Sequence, residues 1–193
     1  MALEQWAPFF RARFYETFKQ YDRAVAAFRD ALAVNPQFAL AVNCLAHRHA
    51  QMGNDDLAVH YFLEALRINR DDATAWFNLG FVYGRQRRHD EAIDAFATAV
   101  RLKPDIDRAW YGMGLSLASL GRHQAAADAL EQAAKLQSMN PHAWYNLAMA
   151  HYTLGHDDRV REIVESLKTF DPKMTRQLIA ETPRIAHVRD DAP

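Results

Sequence analysis

The chain has 193 residues, half of them apolar, with 23 Lys and Arg against 24 Asp and Glu. That composition suffices for one ordinary domain or a short array of repeated units and excludes a disordered chain. The near-zero net charge gives no global field toward nucleic acid or an anionic membrane, so a partner is recognised locally, and the single Cys44 rules out an intrachain disulfide.

The lone thiol suits a reducing compartment, and a cytoplasmic location is expected. The N-terminal segment MALEQWAPFFRARF lacks a basic start followed by an unbroken apolar run. No stretch approaches the roughly 18 consecutive apolar residues of a membrane span, so neither export nor insertion is expected.

From there the sequence repeats. Ala24, Ala58, Ala92 and Ala126 are 34 residues apart, as are Phe28, Phe62 and Phe96 with Leu130 in phase, the series Ala31, Ala65, Ala99 and Ala133, and Trp76, Trp110 and Trp144. A fixed period of this length marks a repeat architecture. Within one period, Trp76, Leu79, Gly80 and Tyr83 fall at i, i+3, i+4 and i+7 and predict a helix, and Ala92, Phe96, Ala99 and Val100 predict a second. The polar RQRRH between them predicts a short turn. Asp90 is expected as an N-cap, with Asp22, Asp56 and Asp158 in the same phase. Pro36, Pro104 and Pro172 mark where second helices have ended. Gly80 and Gly114, with Ala46 and Ala148 in phase, predict close helix approach. Each hairpin is too small to bury its own apolar faces and must stack on its neighbours. Toward the C-terminus, TRQLIAE predicts a short capping helix, placed at 175–182, that covers the last hairpin with Leu178 and Ile179. Residues 183–193 have little to bury and are expected to form a loose tail.

This pattern resembles the tetratricopeptide repeat family. Its order of Trp, Leu-Gly, Tyr, Ala, Phe, Ala and a closing Pro is met in full by Trp76, Leu79, Gly80, Tyr83, Ala92, Phe96, Ala99 and Pro104. In weaker form it extends over units at 5–38, 39–72, 73–106, 107–140 and 141–174. In the first unit Pro8 and Arg11 replace the Trp and Leu; in the last, Val160, Val164 and Leu167 replace the second-helix Ala, Phe and Ala. Terminal repeats lack a neighbour, so atypical residues are expected there. The expected fold is all-α, a right-handed α-solenoid of tandem helix-turn-helix hairpins, and the resemblance implies that the first helices line a concave groove.

Little in the sequence carries chemistry. His47 and His49 are two residues apart on a predicted helix and point to different faces. No HExxH, CxxC or carboxylate ladder accompanies them. Cys44 and His47 can share a face, as a thiol–imidazole pair or a soft-metal site, but without a third ligand or an orienting carboxylate they read as groove-lining side chains. Gly-rich phosphate loops and Gly-x-Ser-x-Gly are absent, so no catalytic residue, cofactor or metal is expected. The basic cluster Arg85, Arg87, Arg88 and His89, echoed by Arg122 and His123, is followed at once by Asp90, Glu91 and Asp94. It reads as a solvated turn helping to satisfy helix C-terminal carbonyls, rather than as a nucleic-acid surface with stacking platforms. Asp71-Asp72 and Asp157-Asp158 read as N-terminal charges favoured by the helix dipole, and the tryptophans as packing residues.

Subtracting the packed stripe leaves the groove face. Rotation by 100° per residue places Phe77, Asn78, Phe81 and Arg85 beside or opposite the core, with Tyr111 and Leu115, then Tyr145, Asn146 and Met149, in the following units. Toward the N-terminus the face turns polar, with Arg13, Glu16, Asn43, His47 and Gln51. These residues are expected to bind a peptide or amphipathic helix of another protein, Asn78 and Asn146 holding its backbone through their amides. A similar asparagine row occurs in the O-linked N-acetylglucosamine transferases, which AWFNLG also resembles, although Cys44 and Gly112 interrupt the row here. The carboxylate clamp by which some members grip chaperone C-termini is not matched, Arg108 being an isolated candidate. The alternatives are that part of the row packs between adjacent helices or against the chain's own tail, that the chain self-associates, or that it is the targeting subunit of a separately encoded enzyme such as a glycosyltransferase.

Overall fold

The structure is a computed structural model and describes residues 3–186, in which twelve helices and no strand are found. It divides into two compact units, Met1–Arg88 and His89–Pro193. The first holds α1 (Trp6–Thr17), α2 (Tyr21–Val34), α3 (Ala39–Gln51), α4 (Asp55–Ile68) and α5 (Ala73–Arg85). The second holds α6 (His89–Leu102), α7 (Asp107–Ser119), α8 (His123–Leu136), α9 (Pro141–Thr153), α10 (Asp157–Lys168), α11 (Pro172–Glu181) and α12 (Pro183–Ala186). Within each unit every helix packs on the next, and first helices also touch, α3 on α5 and α7 on α9. The fold is an all-α solenoid of helical hairpins.

The repeated columns are the core. Phe9, Ala24, Phe28, Ala31, Phe38 and Leu45 cluster in the first unit. Leu117, Ala126, Leu130, Leu147, Val160, Val164 and Leu167 do so in the second. The alanines act sterically: at positions that are fully buried they let facing helices approach while Phe28 or Leu130 fills the space between. Gly114 carries this further, since a Cβ there would stand 2.6 Å from Leu130 Cγ.

The turn inside each hairpin obeys the same period. Lys19, Gly53, Arg87, Gly121 and Gly155, all 34 residues apart, have φ between 57° and 78°. The following N–H reaches back five residues, as in Asn54 N–H to His49 O at 2.9 Å and Arg122 N–H to Leu117 O at 2.9 Å. This left-handed closure satisfies the last carbonyls of each first helix. It also delivers the chain straight into the next helix, which corrects the expected N-caps. Asp22, Asp56, Asp90 and Asp158 lie inside the first turns, each one residue past the start, and act there through the helix dipole. Side-chain caps occur elsewhere, at Asp72 to Ala75 N–H (3.0 Å), Asn140 to His142 N–H (3.1 Å) and Asp171 to Met174 N–H (2.8 Å).

The tryptophans close the turns between hairpins. Trp76, Trp110 and Trp144 are half-buried, and each indole N–H donates to the carbonyl six residues earlier, on Arg70 (2.8 Å), Pro104 (2.9 Å) and Ser138 (2.8 Å). One side chain thus packs on the stack and pins the loop leading into its helix.

At the C-terminal end α11 begins at Pro172 and buries Thr175 and Leu178. Where a loose tail was expected from residue 183, Pro183–Ala186 form a helical turn and Ile185 joins the core of the second unit. Arg184 explains the turn: its guanidinium lies 3.9 Å from the centre of the Tyr152 ring, pairs with Asp157 at 3.2 Å and donates to the Tyr152 carbonyl. The remainder of the expected tail, 187–193, lies outside the described residues.

Candidate functional site

In the first unit a cleft of about 270 Å³ opens between α1, α3 and α5. Arg13 and Glu16 come from α1, Asn43, Cys44 and His47 from α3, and Asn78 from α5, with the Phe62 ring lining the cleft from α4. Four sequence-predicted residues, Arg13, Asn43, His47 and Asn78, are therefore brought together. The helix period explains why: Cys44 and His47 share a face, and the 34-residue repeat sets Asn78 in phase with Cys44 on the neighbouring first helix.

The charges of this cleft are internally paired. Glu16 accepts from Arg13 at 2.6 Å and from the buried Arg48. The Arg48 guanidinium lies 4.3 Å from the centre of the Tyr21 ring and donates to Gln51 at 2.7 Å. Arg48 and Glu16 as a pair escaped the sequence reading, yet Arg48 carried a signal, an arginine in a column otherwise held by Phe14, Val82, Ser116 and Ala150. Burial first, and then Glu16, push the Cys44 thiol up, outweighing the downward pull of Arg13 and Arg48. The thiol is therefore protonated at neutral pH and a poor nucleophile. His47 contacts Gln51 at 2.8 Å, and Asn43 donates to Asp72 at 3.3 Å, so the cap of α5 also positions an amide of the cleft. His49 is directed away from the cleft, buried and stacked on Tyr61 at 5.5 Å.

Further along α5, Phe77 is half-buried and Phe81 is 52% exposed. Arg85, expected as a groove residue, is occupied structurally: it donates to the Ala50 carbonyl at 2.8 Å, pairs with Asp55 and covers the Phe81 ring at 5.5 Å.

The second unit presents Tyr111 and Leu115 on α7 and Tyr145, Asn146 and Met149 on α9. Only Leu115 is exposed; the others are half-buried, and Tyr111, Tyr145 and Met149 pack against the core. Asn146 donates to the Tyr111 hydroxyl at 3.1 Å and to the His142 carbonyl at 2.8 Å. The Tyr145 hydroxyl donates to Glu181 of α11. Burial pushes both phenols up, Tyr145 being raised further by Glu181. Glu181, which the sequence did not single out, thus ties the capping helix to the tyrosine row.

Models of the family described as tetratricopeptide repeat match residues 44–106, 80–138 and 111–172, and residues 9–38. The chain belongs to the tetratricopeptide repeat family. No curated protein matches it by sequence. Among solved structures, it is similar to MamA at TM-score 0.80 and 19% identity, over 100% of both chains. It is also similar to YrrB, described as a tetratricopeptide repeat protein with an unusual peptide-binding site, at 0.78 and 18% over 90% of this chain and 88% of that one. PilF of Pseudomonas aeruginosa matches at 0.75 and 20%, over 96% and 86%. At such identities the likeness concerns the fold. Among the described residues of this repeat protein, no helix is long and apolar enough to cross a membrane, and no group of three or more His, Cys, Asp and Glu is placed to hold a metal ion.

Proposed function

We propose that this repeat protein is a non-catalytic interaction module of the cytoplasm that holds a peptide or helix of a partner protein on the exposed faces of its first helices. The observation that carries the reading is the cleft between α1, α3 and α5, where Asn43 and Asn78 set side-chain amides beside an apolar floor and self-paired charges. An amide that both donates and accepts suits the backbone of an extended peptide. Glu16 shared between Arg13 and Arg48 leaves one positive charge, which Asp72 on the cleft wall offsets, so the cleft makes no net demand for an acidic or basic ligand. Phe81 in the first unit and Leu115 in the second offer apolar anchors, each worth roughly 1.5–3 kcal/mol when covered, before ordering costs. YrrB, a similar structure, is described as having a peptide-binding site, which agrees in kind.

The test is selection of peptides from a random displayed library against the full chain, followed by titration calorimetry. Asn43→Ala/Asn78→Ala is expected to weaken the selected peptides about five- to thirtyfold, the loss of one or two hydrogen bonds of about 1 kcal/mol each, with little change in melting temperature. Peptides that bind the double variant and Phe81→Ala as well as they bind wild type would sink the reading.

A further inference from the structure

Among the described residues, the exposed aromatic side chains of the first unit are, Phe81 apart, on α1 or beside its ends. Phe10, Phe14 and Phe18 are 62%, 59% and 60% exposed and follow one another at four-residue spacing, with Trp6 stacked under Phe10 at 5.5 Å. Leu3 before α1 and Tyr21 at the start of α2 are also exposed. The repeat shows what this face is for. The position of Phe14 is held by Arg48, Val82, Ser116 and Ala150 in α3, α5, α7 and α9, and all four are buried. In those cases the preceding second helix packs against the helix that carries it, α2 on α3, α4 on α5, α6 on α7 and α8 on α9. Among the described residues no helix precedes α1, and the column carries its one phenylalanine at that place.

We propose that this face is an interface between two copies of the chain, joined by a two-fold axis with their α1 helices antiparallel. Three observations favour a second copy. First, the stripe reads the same in both directions about Ala12: Phe10 mirrors Phe14, Trp6 mirrors Phe18 and Leu3 mirrors Tyr21. Reversing one helix therefore sets Phe10 against Phe14 and Trp6 against Phe18, with Leu3 against Tyr21 at the ends, which is the self-complementarity an isologous contact requires. Second, with about 150–250 Å² for a whole aromatic side chain, the exposed portions amount to roughly 500 Å² per copy, so a pair covers on the order of 1,000 Å², the lower bound of a specific interface. Third, the flanking charges Arg11 and Arg13 are already paired with Asp30 and Glu16, so the contact buries no unpartnered charge and keeps a polar rim. A head-to-tail array is disfavoured. The helices α9 to α12 expose no large apolar side chain among the described residues, since Leu178 and Ile185 are turned inward, and so offer no apolar counterpart to the stripe.

This interface is independent of the peptide-holding role, and its test uses the full chain. Sedimentation velocity over a micromolar concentration series is expected to show the mass rising from 22.1 kDa toward twice that value. Phe14→Glu is expected to hold the chain monomeric with an unchanged melting temperature, while Phe81→Glu leaves the dimer intact. Orientation is read in a Cys44→Ser background by a bismaleimide. Ala7→Cys and Thr17→Cys, exposed and mirror-related about Ala12, are expected to cross-link when mixed and far less when alone. A monomer at every concentration, a dimer that survives Phe14→Glu, or cross-linking of each variant with itself in preference to the mixture would each overturn the proposal.

Discussion

The two units share one backbone grammar, and one recurring place on their first helices decides whether a cleft opens. In the first unit that position holds Cys44 and Asn78, and a cleft floored by Phe62 remains beside them. In the second unit the same phase holds Asn146 and Gly112, and at Gly112 the Phe96 ring lies so close that a Cβ would stand 2.5 Å from its Cζ. The ring that lines an opening in one unit closes it in the other. Further along the second unit, Asn146 is turned to Tyr111 and Tyr145 to Glu181, so polar groups there serve the protein's own packing. A repeat thus reproduces its helices faithfully while its surface is decided by one or two side-chain volumes, and the groove need not be uniform along the array.

The largest expected effect comes from exchanging those volumes. Gly112→Asn restores the residue type found at positions 78 and 146 but forces a side chain against a buried ring. It is expected to destabilise by about 1–3 kcal/mol, the usual cost of overpacking. Asn78→Gly, on the open side, removes a cleft side chain and is expected to cost under about 1 kcal/mol, the difference in helix propensity. Urea titrations at unchanged m-value measure both. Equal costs at the two positions would break the comparison, because they would mean that Phe96 can yield as much space as Phe62 leaves.

A smaller effect distinguishes the turns. The left-handed position is glycine at Gly121 and Gly155 in the second unit, whereas the first carries Lys19 and Arg87 at φ 57° and 60° beside Gly53. A non-glycine residue there costs about 1–2 kcal/mol, partly offset by the chain entropy that glycine loses on folding. Arg87→Gly and Lys19→Gly are each expected to stabilise by about 0.5–1 kcal/mol, and Gly121→Arg to destabilise by a similar amount. Thermal melting checks the three. A destabilising Arg87→Gly would show that the arginine side chain contributes more than its backbone costs.

Much of this was legible in the sequence where a residue's role depends only on its column. The alanine and phenylalanine series announced the core, and the tryptophans announced packing, because every hairpin poses the same steric problem. The carbonyl that each indole bonds was not legible, since a periodic pattern gives faces but not loop paths. Nor was the conformation at Lys19 and Arg87, although Gly53, Gly121 and Gly155 in the same column carried the clue. Four of the polar candidates did converge, at Arg13, Asn43, His47 and Asn78, because one helix period and one repeat period determine their direction. Arg85 and Tyr145 were read as groove residues from direction alone, and direction does not show whether a carbonyl, Asp55 or Glu181 stands within reach. The aromatic stripe of α1 lay in plain view, but a terminal helix was read as an atypical cap rather than as a surface.

The smallest expected effect asks how firmly the second unit keeps its own groups engaged. The hydrogen bonds from Tyr145 and Gln177 hold the Glu181 carboxyl below its ordinary value of 4.5, while burial, and then Glu181 itself, raise the Tyr145 phenol above 10.0. A carboxyl depressed in the folded state contributes stability above its unfolded pKa and loses it as pH falls through the folded value; a raised phenol contributes below its unfolded pKa and loses it as pH rises through the folded value. The contact is therefore complete between about pH 4.5 and 10 and weakens outside that window. Because Glu181 is exposed, the response is expected in the docking of α11 rather than in global stability. Amide exchange, corrected for intrinsic rates, should show α11 losing protection on acidification while the α9 interior does not. Glu181→Gln keeps an acceptor oxygen but cannot titrate, so it should flatten that acid limb; Tyr145→Phe should lower α11 protection at every pH. If α11 responds to neither substitution, Tyr145 is not held by the cap, and its hydroxyl belongs with Leu115 among the groups a ligand meets first.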